Sequence, residues 1–170
     1  MPLVEFNGKR PKVHLTTFVA PTATIIGDVE IGEKSSVWYG AVIRADFAPV
    51  RIGRCTAVED NCVIHGGRET TIGDEVLIGH AAVVHGCRIG NGAIIGSGAT
   101  VFTGAEIGEY AVVAMGAVVL ENMKVEPKTL VAGIPAKKMR QLNENEIQAL
   151  TVGSKIYSDL AQKYKQQNLE

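Results

Sequence analysis

Aliphatic residues recur at every sixth position along most of the chain. Val13, Val19, Ile25, Ile31, Val37 and Ile43 form an unbroken series. It resumes at Ile52, Val58 and Ile64 after one insertion, and at Ile72, Ile78 and Val84 after a second. One residue is then missing, and the register continues through Ile89, Ile95, Val101, Ile107, Val113, Val119, Val125 and Val131. An amphipathic helix has a period of 3.6 and cannot hold this pattern. A six-residue aliphatic repeat is the signature of a β-solenoid. Three hexads make one triangular coil of 18 residues, and its strands pair with the coils above and below, about 4.8 Å away. The repeated aliphatic points inward. The glycines that follow many of these residues are expected at the tight corners.

The pattern predicts a mainly β chain of roughly six to seven coils over residues 13–136. Residues 1–12 are expected to be an N-terminal cap, with a tight turn at Asn7-Gly8. Residues 137–170 are expected to be a C-terminal helical segment, its helix running over 143–166. Asn143 is the expected N-cap, and Glu144 and Glu146 suit the positive end of the helix dipole. Ile147, Leu150, Tyr157, Ala161 and Tyr164 make one apolar face.

The register also places the chemistry. His65 and His85 each follow their aliphatic by one position and stack on one face of adjacent coils, with Arg44 one coil below His65. His80 lies two positions after Ile78, on the preceding face, and Asp60 lies directly beneath it. One chain therefore presents a histidine pair on one face and a lone histidine on another. Three prisms packed around a threefold axis would bring His80 of one chain to His65 and His85 of the next. Three imidazoles with a vacant fourth position are the pattern of a catalytic zinc site, where bound water loses a proton near neutral pH. The remaining histidine, His14, lies far from these and reads as a surface residue.

Around this set, Arg44 has two roles open to it: pairing with Asp46 and, across the subunit boundary, with Asp60, or holding an anionic product. Glu59 lies beneath Gly79, beside His80, and is either a proton acceptor or a solvated surface carboxylate. Tyr157 either packs or donates its hydroxyl near the site.

Composition adds bounds. The net charge is −1, which gives no electrostatic case for nucleic acid or an anionic membrane surface. No apolar run approaches the length of a membrane span, and no secretory leader follows Met1. Cys55, Cys62 and Cys87 are odd in number, lack a CxxC spacing and read as reduced thiols of a cytoplasmic protein, Cys87 with a structural role.

The runs WYGAVIRAD, VEDNCVIH and TIGDEVLIGHAAVVHGCRIGNGAIIGSGATV, with AGIPAKKMRQL before the last helix, resemble the gamma-class carbonic anhydrase family. The resemblance implies a left-handed parallel β-helix, a homotrimer, and a zinc ion (or iron or cobalt) between subunits. It implies His65, His80 and His85 as metal ligands and places the family's wall residues on Arg44, Asp46 and Asp60. Its reaction is the reversible hydration of CO2 to bicarbonate. Three departures stand out: Phe47 where the family carries a carboxylate, a short GGRET loop with Glu69 as its sole acid, and Glu59 where many relatives have glutamine. Two other functional classes use the same scaffold. One is acyl chemistry, by a hexapeptide acyltransferase or a metal-dependent thioesterase; the other is a non-catalytic metal-binding trimer.

Overall fold

The computed structural model describes residues 3–167. Met1 and Pro2 of the expected cap and residues 168–170 of the expected helical segment lie outside them. The chain winds into a parallel β-solenoid of about seven turns, with one C-terminal helix. Among the described residues every pairing of strands is parallel except that of Thr129–Ala132 with Lys137–Gln141 at the upper end. The segment after residue 136 therefore begins with a strand and not with a helix.

Two sheets form three faces. One, of eight strands, makes a single face; the other, of 12, spans two. Those two are joined because the strands Thr24–Ile31 and Val42–Ile52 run straight through the corner between them. The first insertion lies in the second of these strands and bulges from it: Gly27 pairs with Ala45 and Val29 with Val50. The lead-in pairs along the lower edge, Leu3 with Ile25 and Lys12 with Glu30. The turn at Asn7-Gly8 forms as expected, with Phe6 and Lys9 exchanging backbone hydrogen bonds at 2.9 and 3.0 Å.

The six-residue series is the core. All of its members except half-buried Val13 are buried. Each contributes about 2 kcal/mol by leaving water. A second inward column lies two residues earlier, where small side chains such as Ala23, Ala41, Cys62, Ala82, Ala99 and Ala117 keep the corners narrow.

The corners differ from the sequence expectation. The left-handed backbone falls three residues before the aliphatic, for instance at Gly98 (φ 67°) and Ala81 (φ 57°). The glycine that follows the aliphatic serves close stacking. A Cβ at Gly79 would lie 2.7 Å from the Ser97 amide nitrogen one coil above.

Helix α1 (Glu144–Gln166) starts at the predicted cap. The Asn143 side chain accepts from the Glu146 amide at 3.0 Å, and the Glu146 carboxylate accepts from the Asn143 amide at 2.9 Å. The helix descends along the eight-stranded face. Buried Ser154 and Ser158 let it approach closely, and Ser158 donates to the Lys34 carbonyl at 3.2 Å. Tyr164 and Tyr157 meet Trp38 edge-on, at ring distances of 5.1 and 6.0 Å.

Candidate metal centre

The stacking expected from the residue count is the stacking observed. His65 pairs with His85 in register, their rings 5.5 Å apart. Ile43 pairs with Ile64 in the coil below, which puts Arg44 under His65. Asp46 accepts from the Arg44 guanidinium through Oδ2 and meets His65 Nε2 through Oδ1 at 2.9 Å. Burial works against the charged form of Asp46, but these hydrogen bonds outweigh it and hold its pKa below the usual carboxylate value. Arg44, Asp46 and His65 thus form a directional chain along one face. His85 is fixed from above, with Nδ1 at 2.8 Å from the Thr103 hydroxyl.

His80 occupies the neighbouring corner, half-exposed. Its Nδ1 lies 3.0 Å from Asp60 Oδ2 and its Nε2 3.1 Å from Glu59 Oε2. Glu59 also accepts from the His80 amide at 3.1 Å. Its carboxylate is buried, so the solvated-surface alternative does not hold. Tyr157 reaches the same carboxylate from α1. Burial first, and then Glu59, push the phenol up to about 12. Tyr157 thus packs on Trp38 and stands beside Glu59. Within its own chain Asp60 turns to His80 and accepts from the Tyr39 amide.

Two clusters result, one on the His65 face and one at the His80 corner. Among the described residues of one chain, no group of three or more His, Cys, Asp or Glu side chains could close around a metal ion. Yet the donor chemistry suits one. Each imidazole has one nitrogen fixed by a side-chain oxygen, the usual way a ligating histidine is oriented. The opposite nitrogens, His65 Nδ1 and His85 Nε2, have no side-chain partner among the described residues, while His80 Nε2 would have to leave Glu59.

Phe47 is exposed and tilts over His65 at a ring distance of 5.6 Å. Glu69 is exposed in the short loop. Cys62 and Cys87 face the core, and burial pushes both thiols up to about 12. Thr103 was missed by the sequence reading. It follows Phe102, the residue in register above His85, and reaches the imidazole from one position along.

Residues 69–103 match the family described as bacterial transferase hexapeptide (six repeats). The chain is 39% identical to gamma carbonic anhydrase 2, mitochondrial, of Arabidopsis thaliana over 98% of its own length, but it spans 63% of that relative. It is 37% identical to a carbonic anhydrase of Geobacillus kaustophilus, over 94% of this chain and 89% of the relative. The crystal structure of a hexapeptide transferase family protein from Anaplasma phagocytophilum superposes with a TM-score of 0.94 at 39% identity, covering 96% of this chain and 98% of that one.

Proposed function

The chain belongs to the gamma-class carbonic anhydrase family, and on that premise we propose that it catalyses the reversible hydration of CO2 to bicarbonate at a metal centre shared between subunits of a homotrimer. The observation that carries this reading is the split of the histidines: an in-register pair on one face, a lone imidazole at the next corner, each with an oxygen fixing one nitrogen. His65 and His85 of one protomer and His80 of another would hold the ion, zinc in our reading, with iron and cobalt the alternatives.

Bound there, the metal would supply Lewis acidity and lower the pKa of water toward neutrality. The chain's own residues do the rest. Arg44 holds Asp46, and Asp46 orients His65. Asp60 and Thr103 orient His80 and His85. Glu59 stands beside His80 as the proton acceptor, and Tyr157 fixes its carboxylate. Phe47 gives the His65 side of the site an apolar wall, which a neutral substrate tolerates.

The test is stopped-flow CO2 hydration on protein loaded with zinc and, anaerobically, with iron. We expect activity that His85→Ala abolishes. No hydration by either form, at one metal per chain, would contradict the reading and favour a thioesterase or a non-catalytic metal-binding trimer. One observation favours a second reading, acyl transfer: the likeness to the Anaplasma protein described as a hexapeptide transferase. Binding of acetyl-CoA by metal-free protein would support it.

A further inference from the structure

The corner that carries His80 is a vertical column of outward side chains. Backbone hydrogen bonds stack Tyr39, Asp60, His80, Ser97 and Met115 in order: Asn61 donates to Tyr39, Ala81 to Asp60, Gly98 to His80 and Gly116 to Ser97. The adjoining face carries a second column, Arg44, His65, His85, Phe102 and Leu120, fixed by the pairings Ile43 with Ile64, His65 with His85, Val84 with Val101 and Val101 with Val119. Along the chain, each corner residue comes between two successive members of the face column. His80 lies between His65 and His85 in height, and Met115, two coils up, lies between Phe102 and Leu120.

If His80 of one protomer meets His65 and His85 of the next, the two prisms stand at the same height. The same offset then repeats at every rung. Asp60 comes between the neighbour's Arg44 and His65, a charge-complementary step. Ser97 comes between His85 and Phe102. Met115 comes between Phe102 and Leu120. These last three side chains are exposed in the single chain, Met115 at 79%, Leu120 at 49% and Phe102 at 38%. Met115 is an unbranched, adaptable side chain offered to solvent opposite an aromatic and an aliphatic one, which is the composition of an interface core.

We propose that the occupant of the apolar Phe102–Leu120 step is Met115 of a second copy of this chain, and that this contact assembles the trimer without metal. The inference rests on the trimeric reading of the metal site and adds a division of labour to it. The lower rungs hold the ion; the upper rungs hold the subunits together. Because Met115 is exposed, replacing it leaves the fold of each protomer intact.

The test combines sedimentation with cross-linking on the whole chain. Metal-free wild type and His80→Ala should both sediment as trimers. Met115→Asp should weaken assembly by about 30-fold or more, as loss of a central interface residue does, with the circular dichroism of a folded solenoid. Under oxidation the double variant Met115→Cys, Leu120→Cys should give disulfide-linked dimers and trimers on non-reducing gels; each single variant should not. A wild type that is trimeric only with metal, or a Met115→Asp trimer of unchanged affinity together with no cross-link, would overturn the proposal while leaving the metal site standing. Cross-linked trimers that bind no zinc would instead overturn the metal reading and leave the Met115 contact standing. A monomeric wild type in both metal states would end both.

Discussion

Two faces of the same prism use the same hexad position in opposite ways. On one face, from Ile43 upward, the residue after the aliphatic is Arg44, His65, His85, Phe102 and Leu120. On the other, between His14 and Glu126 at its two ends, it is Gly32, Gly53, Gly73, Gly90 and Gly108. The glycine face packs backbone against backbone: a Cβ at Gly53 would lie 2.6 Å from the Gly73 carbonyl carbon. Gly32, Gly53 and Gly73 form the floor of an open groove of about 780 Å³ beside charged residues that pair among themselves, Lys12 and Arg51 both with Glu30. On the histidine face the charged groups pair into a chain that ends on an imidazole. The inward aliphatic is buried in both cases. The scaffold thus takes its stability from the inward column, and the outward column is free to carry chemistry or none.

That contrast can be broken first at the core. Ile64→Ala and Ile72→Ala each remove a buried side chain, one under each face, and each should cost about 3 kcal/mol in denaturant unfolding. Ile64→Ala should also loosen zinc binding, because it precedes His65; Ile72→Ala should not. Next come the carboxylates. Asp46→Asn should weaken metal affinity by about 10- to 100-fold, as loss of an orienting partner does. Asp74→Asn, which breaks an exposed pair on the glycine face, should leave metal affinity unchanged and cost under about 1 kcal/mol. A competitive zinc chelator assay separates the two.

A smaller effect lies at the corner beside His80. Ala81 holds a left-handed φ of 57°, whereas the same corner one coil above is Gly98. Ala81→Gly should stabilise the chain by about 0.5–1 kcal/mol, the relief of a strained Cβ less the added freedom of the unfolded chain. The smallest concerns pH. Hydrogen bonds from Arg140 and from the Asn143 amide hold Glu146 at about 2, against an ordinary value of 4.5. A depressed carboxylate stabilises the folded form above its unfolded value and stops doing so as pH falls through the folded one. The start of α1 should therefore loosen between about pH 4 and 2, read as a change in Trp38 fluorescence because Tyr157 and Tyr164 of α1 pack on that ring.

The solenoid, its register and the stacking of His65 on His85 were legible because a strict period turns sequence separation into height. The helix start was legible because capping is local. What the period could not convey was side-chain direction. Asp60 read only as a candidate partner of Arg44 across the boundary, and its contact with His80 within its own chain had no signal in the repeat beyond its place beneath that residue. Glu59 stood equally well as surface or site until α1 covered it, a contact between residues nearly 100 positions apart in the sequence. Thr103 lay outside any motif and one position past Phe102, the residue that the register stacks above His85, so its reach to that imidazole was again a matter of side-chain direction. The glycines after the aliphatics were assigned to corners because a glycine rule exists for turns; here they serve close approach.

A metal site divided between protomers, as claimed above, can be rebuilt from two defective chains by mixing subunits. Homotrimers of His80→Ala and of His85→Ala should each bind no zinc. Unfolding and refolding the two together in equal amounts should restore about one quarter of the sites, since a site is whole only where an intact His80 meets an intact His85 across a heterologous boundary. Zinc binding that stays at zero in the mixture, while the wild type treated the same way recovers fully, would contradict the claim.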